Sequence, residues 1–119
     1  MSAFSNIVEA IREFNIPHAP NVYEGKKSDR WITYNYADDR GALYCDDEPA
    51  ERHVSMQVHL YLPARENFIS IRERVRESLW RHGAETYPAV TDLGADAIGK
   101  RHLVFEFEAI EERTEADGL

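Results

Sequence analysis

Residues His53 to Leu62, HVSMQVHLYL, alternate without a break. Val54, Met56, Val58, Leu60 and Leu62 are apolar, while His53, Ser55, Gln57, His59 and Tyr61 are polar or amphipathic. A period of two over ten residues specifies a β-strand with one buried face and one wet face. The rest of the chain reads as segments that cover the apolar face or extend the edges of this strand.

An amphipathic helix precedes it. Phe4, Ile7, Val8, Ile11 and Phe14 fall on one helical stripe, Ser2 or Ser5 can cap the start, and Asn15 with Pro17 stops it. NIPHAP then reads as an extended connector, and a further short strand is expected in 22–25. Trp31 to Tyr36, WITYNY, is rich in aromatic and β-branched residues and reads as a strand. The face carrying Ile32, Tyr34 and Tyr36 is taken as inward, which leaves Trp31 partly exposed, as a partner contact or as a half-covered edge aromatic. Residues 37–52, ADDRGALYCDDEPAER, concentrate Asp38, Asp39, Asp46, Asp47, Glu48 and Glu51 against only Arg40 and Arg52. ALYC in 42–45 can form another short strand, so this segment is either a long hairpin or a two-part loop.

After Pro63 a second helix is expected from about Arg65 to His82, with Phe68, Ile71, Val75 and Leu79 on its stripe, Ile69 and Trp80 widening it, and Gly83 as its cap. Its arginines Arg72, Arg74, Arg76 and Arg81 interleave with Glu73 and Glu77, the pattern of a solvated back or of a surface that meets acids on a neighbour. A turn-rich bridge follows, with local pairing at Ala89 to Leu93, and HLVFEFEAI, His102 to Ile110, alternates again as a last strand. The order α-β-β-α-β, with helices on one face of a mostly antiparallel sheet, is an α+β two-layer domain over residues 1–110; residues 111–119 read as an acidic, disordered tail.

Composition narrows the function. A chain of 119 residues is one domain by ordinary size, and no apolar run approaches a membrane span. The first residues lack the layout of a signal peptide, and a lone Cys45 allows no intrachain disulfide, so a cytoplasmic location is expected. A net charge of -8 argues against general nucleic-acid binding, which depends on Lys and Arg neutralising phosphates. No nucleophile elbow or phosphate-cradling glycine loop occurs, and carboxylates around Cys45 would raise its pKa and blunt it as a nucleophile. His53 and His59 lie roughly 20 Å apart along one strand and cannot share an ion. His59 and His102 become cross-strand neighbours if their strands pair, yet two ligands alone are a weak metal site. No catalytic, metal or cofactor residues are therefore assigned, and the chain is not read as an enzyme.

Several pieces together resemble the tail terminator, or tail-completion, proteins of tailed phages and prophages, which act in head–tail joining. They are the opening helix, VYEG, WITYNY, ALYCDDEP, VSMQVHLYLP, a helix closing with LWRHG, and the pair YPAVTDL and RHLVFEFE, spanning about residues 4 to 110. The resemblance implies a structural protein that caps the tail tube as a ring, a hexamer in the virion, through which DNA passes without specific binding. Its partners would be further copies of itself, the tail tube protein and a head-completion protein, assembled in the host cytoplasm. On that reading Asp38, Asp39, Arg40, Asp46, Asp47 and Glu48 face the lumen or the tube, where carboxylates repel the phosphate backbone. Trp31, Arg72, Arg74 and Arg76 would form contacts between subunits, and the isolated chain would be a monomer or weak oligomer. A small acidic module that binds or inhibits a host protein is the second reading. A small α+β enzyme using His59 or His102 as a base is the third.

Overall fold

The computed structural model describes residues 3–23, 29–45, 48–97 and 99–112, with backbone alone for 38–45, 48–52 and 112. Helix α1 spans Ala3–Ile11 and continues as a 3-10 turn over Arg12–Phe14. Asn15 ends it in the left-handed region at φ 55°, where a short polar side chain is tolerated, and its amide returns to the Arg12 carbonyl. The start of α1 has a cap that sequence pattern could not reveal. The Ala3 amide donates to the carboxylate of Glu111, 108 residues away, so the capping charge comes from the far end of the chain.

Strand β1 (His18–Pro20) follows, then β2 (Trp31–Cys45), β3 (Glu48–Pro63), helix α2 (Ile69–Arg81), β4 (Ala89–Ala95) and β5 (Lys100–Glu112). They form one five-stranded sheet in the order β1-β2-β3-β5-β4. Among the described residues only β1 with β2 is parallel; the other pairings are antiparallel. The α+β architecture expected from the alternation is therefore the observed one, with additions.

The differences have local causes. The strand expected in 22–25 does not form at Val22 and Tyr23, which follow a turn at Asn21 (φ 64°), and 24–25 lie outside the described residues; the short strand lies instead at His18–Pro20, in the stretch read as a connector. The stretch 42–45 belongs to β2, so the acidic segment forms a long hairpin with β3. Helix α2 begins at Ile69 rather than near Arg65. The Asn67 side chain accepts the Ile69 amide at 3.1 Å, and the chain before it is a turn in which the Glu66 amide reaches the Pro63 carbonyl. The far end matches expectation. Gly83, at φ +111°, follows the cap, and the Ala84 amide bonds back to Leu79, the pattern that closes a helix on a left-handed residue. The backbone demands glycine there; a methyl group at Gly83 would also stand 2.9 Å from the tip of the Asn6 side chain, which would have to turn aside. The last strand outruns its expected limit: β5 continues to Glu112, and Glu111, assigned by sequence to a tail, is only 1% exposed.

Both helices lie on one face of the sheet. Ile7, Ala10 and Ile11 of α1 and Val75 and Leu79 of α2 pack over Ile32, Val54, Met56, Val58, Leu60, Leu62, Leu103, Phe105 and Phe107. The Ser78 hydroxyl donates to the Ala10 carbonyl at 2.6 Å and ties the two helices together. Phe4 closes one margin, stacked on Tyr36 at 4.7 Å and edge-on to Tyr34 at 5.0 Å. Among the described residues no helix is long and apolar enough to cross a membrane.

Candidate functional site: the uncovered sheet face and the hairpin

Alternation along β3 sends Ser55, Gln57, His59 and Tyr61 away from the helices, and register decides what they meet. Tyr61 stands between Trp31 of β2 and His102 of β5, with which it is in register. The three rings form a stack, 4.8 Å from Trp31 to Tyr61 and 4.3 Å from Tyr61 to His102, both nearly parallel. Tyr23 adds a fourth ring beyond Trp31 at 6.5 Å, and the Lys100 ammonium sits over Trp31 at 5.8 Å.

The middle of this face is a row of hydrogen bonds. His102 Nε2 and His59 Nδ1 are 2.8 Å apart. His59 Nε2 lies 3.1 Å from Asn35 Oδ1, the Asn35 amide donates to Gln57 Oε1 at 3.3 Å, and the Gln57 amide donates to Glu106 Oε1 at 3.4 Å. Beside it the Ser55 hydroxyl lies 2.9 Å from both Glu108 oxygens. Burial holds the His59 pKa below its usual value, the neighbouring His102 lowers it further, and Glu106 partly opposes both. Burial also lowers His102, against a raising influence from Asp96. Tyr61 is pushed up by burial, with a hydrogen bond from Thr33 acting the other way.

Thus His59 and His102 do meet, diagonally across paired strands, as their alternation allowed. His53 lies three rows away, opposite Ile110. Among the described residues no group of three or more His, Cys, Asp or Glu is placed to hold a metal ion. A small pocket between α1, the end of α2 and β5, lined by Asn6, Ile7, Leu79 and Phe107, has room for about one water molecule. It contains neither His59 nor His102.

The other candidate residues occupy two further places. Trp31 lies on the uncovered face, half-buried by its stack with Tyr61. Arg72, Arg74 and Arg76 line α2, each over an aromatic ring of this same chain: Arg72 over Phe68 at 5.7 Å, Arg74 over Phe14 at 5.3 Å and Arg76 over Tyr87 at 4.5 Å. Arg76 also donates to the Pro88 carbonyl at 2.8 Å. Only Arg74 among the three lines an open charged groove, with Glu13, Glu73, Glu77 and Arg81. A separate exposed aromatic pair, Trp80 and Tyr87, meets edge-to-face at 5.6 Å beside Arg76.

The hairpin holds the acidic candidates. Asp38 pairs in register with Ser55, Asp39 with Val54, Arg40 with His53 and Glu48 with Cys45, after a bulge between Tyr36 and Asp38. Asp46 and Asp47 lie outside the described residues.

Sequence reading missed Tyr61, Asn35 and Lys100 as members of the aromatic and polar rows, and Glu111 as a buried carboxylate. Alternation does mark Tyr61 and Asn35 as outward-facing, but only strand register names their partners. No protein-family model matches the chain, and no curated protein matches it either.

Proposed function

We propose that the chain is a structural subunit of a tailed-phage head–tail junction, of the tail-terminator kind, which assembles as a ring around passing DNA. The observation that carries this reading is the division of labour within one long hairpin. Strands β2 and β3 hold the core through residues such as Ile32 and Leu60, then continue to Cys45 and Glu48 and bring the acidic segment to one end of the sheet. A domain that keeps its core at one end of a hairpin and concentrates carboxylates at the other suits a ring whose bore must let a polyanion slide. Repetition of those carboxylates in several copies would build a repulsive field, screened beyond about 8 Å in physiological salt. The uncovered face, half-buried yet polar and aromatic, resembles surfaces that meet another protein rather than a substrate pocket.

Electron microscopy of the protein mixed with tail tubes tests this. Rings seated on tube ends are expected; a protein that leaves tube ends bare at saturating concentration overturns the reading. The lining role is tested separately by neutralising Asp38, Asp39, Asp46 and Asp47 together. Particle yield should fall while the monomer stays folded, and unchanged assembly and infectivity would remove the acidic segment from the bore.

A further inference from the structure

The row of hydrogen bonds on the uncovered face has a direction, and Glu106 sets it. A carboxylate only accepts, so the Gln57 group facing it must be the NH2, which turns the Gln57 oxygen toward Asn35. That oxygen takes the Asn35 NH2 and turns the Asn35 oxygen toward His59, which must then carry its proton on Nε2. Neutral His59 is left with a bare Nδ1, and the only way to make the 2.8 Å contact is for His102 to donate from its Nε2. Reversing any one amide would set two oxygens or two NH2 groups face to face, or an oxygen against the Glu106 carboxylate.

This order makes the two histidines unequal toward protons. The bare nitrogen of His102 is Nδ1, which makes no contact with His59, and Asp96 in the β4–β5 turn favours charge on that ring. A first proton therefore enters His102 without breaking the pair and turns its bond to His59 into a charge-assisted one. A second proton has only Nδ1 of His59 available, and that atom already accepts from His102. Two N–H groups would then point at each other between two positive rings.

We propose that the His59–His102 pair is an acid-operated latch on the uncovered sheet face, held by one shared proton at neutral pH and opened by the second protonation. Opening frees His102 from its place against Tyr61, so the stack Trp31–Tyr61–His102 loses its third ring. The face also gains two positive charges. The groups facing the pair set its tuning: Glu106 and Asp96 from β5 and the adjoining turn favour protonation, Lys100 near Trp31 disfavours it at longer range, and Asn35, Thr33, Gln57 and Tyr61 from β2 and β3 are neutral. The device belongs to the fold itself and stands whether or not the chain forms rings.

Nitrogen-detected NMR of the histidine rings decides the matter on the intact protein. At pH 7.5 His59 should be the Nε2–H tautomer. On acidification His102 should take a proton first, with His59 following in a second step separated by more than about one pH unit, the mark of coupled sites. Resonances of Tyr61, stacked on His102, should move with both steps, and those of Thr33, in register with His59, chiefly with the second. In His102→Gln the His59 step should shift to higher pH, because the competing positive ring is gone; Glu106→Gln, an exposed change, should let His59 populate both tautomers. An Nδ1–H His59 in the unmodified protein, or one common midpoint near 6.5 for both rings, overturns the proposal.

Discussion

The two faces of β3 are made by one strand and held by opposite means. Val54, Met56, Val58, Leu60 and Leu62 are at most 1% exposed under the helices, and what fixes them is volume. Ser55, Gln57, His59 and Tyr61 stay half-buried, and what fixes them is direction, because each needs a particular donor, acceptor or ring beside it. Apolar packing is additive and tolerant of similar shapes. A row of hydrogen bonds couples the orientation of each member to the next, and it responds to protons where the core does not.

That contrast can be broken by substitution. The largest effect belongs to the covered face: Phe105→Ala should cost about 3–5 kcal/mol in urea unfolding, through lost burial and the cavity left behind. Next comes the polar group built into the covered side, Glu111, which accepts from the Ala3 amide and from the Tyr36 hydroxyl at 2.9 Å. Glu111→Gln should cost about 1–3 kcal/mol, and Tyr36→Phe about 1.5 kcal/mol, both read by thermal unfolding. Gly83→Ala should cost about 1–2 kcal/mol, since a Cβ is strained at φ +111°. On the uncovered face Gln57→Ala should stay within about 0.5 kcal/mol at pH 7.5. If it matched Phe105→Ala, the uncovered row would be structural support rather than an adaptable surface.

The same contrast sets a pH dependence. Both His59 and His102 have folded pKa values below the unfolded 6.5, so the unfolded chain binds more protons as pH falls. Their contribution to stability is fully present above 6.5 and is lost on acidification through the folded values. Urea midpoints should therefore fall between pH 7.5 and 5, and less so in a His59→Gln, His102→Gln double variant.

Much of the fold was legible because period carries facing. The alternation at 53–62 and 102–110 named Val54 to Leu62 and Leu103 to Ala109 as core, and the stripes of α1 and α2 named Ile7, Ile11, Val75 and Leu79. What stayed illegible was whatever depends on residues distant in sequence. Nothing near Ala3 announces that Glu111 will cap it, and nothing in EERTEADGL separates a buried carboxylate from its solvated neighbours. Strand β1 escaped notice because its three residues, preceded by Pro17 and ending in Pro20, carry no period at all. The uncovered site was half-readable: His59 and His102 could be paired on paper, but their tautomers follow only from the amides of Asn35 and Gln57 between them and Glu106.

Sheet order also bears on how the protein is made. Strand β5 is the last of the described elements in chain order, yet it lies inside the sheet, with β3 on one side and β4 on the other. Until it arrives, the nascent chain offers the β2–β3 hairpin with only the three-residue β1 beside it and a β4 with no neighbour in the sheet, and Met56 and Val58 lack Phe107 and Phe105 as cross-strand neighbours. Closure must wait for Glu111 to reach Ala3, so the domain cannot complete itself until β5 has been made. A nascent chain stalled before Lys100 should remain sensitive to protease along its whole emerged length, and release past Glu112 should make it resistant in one step.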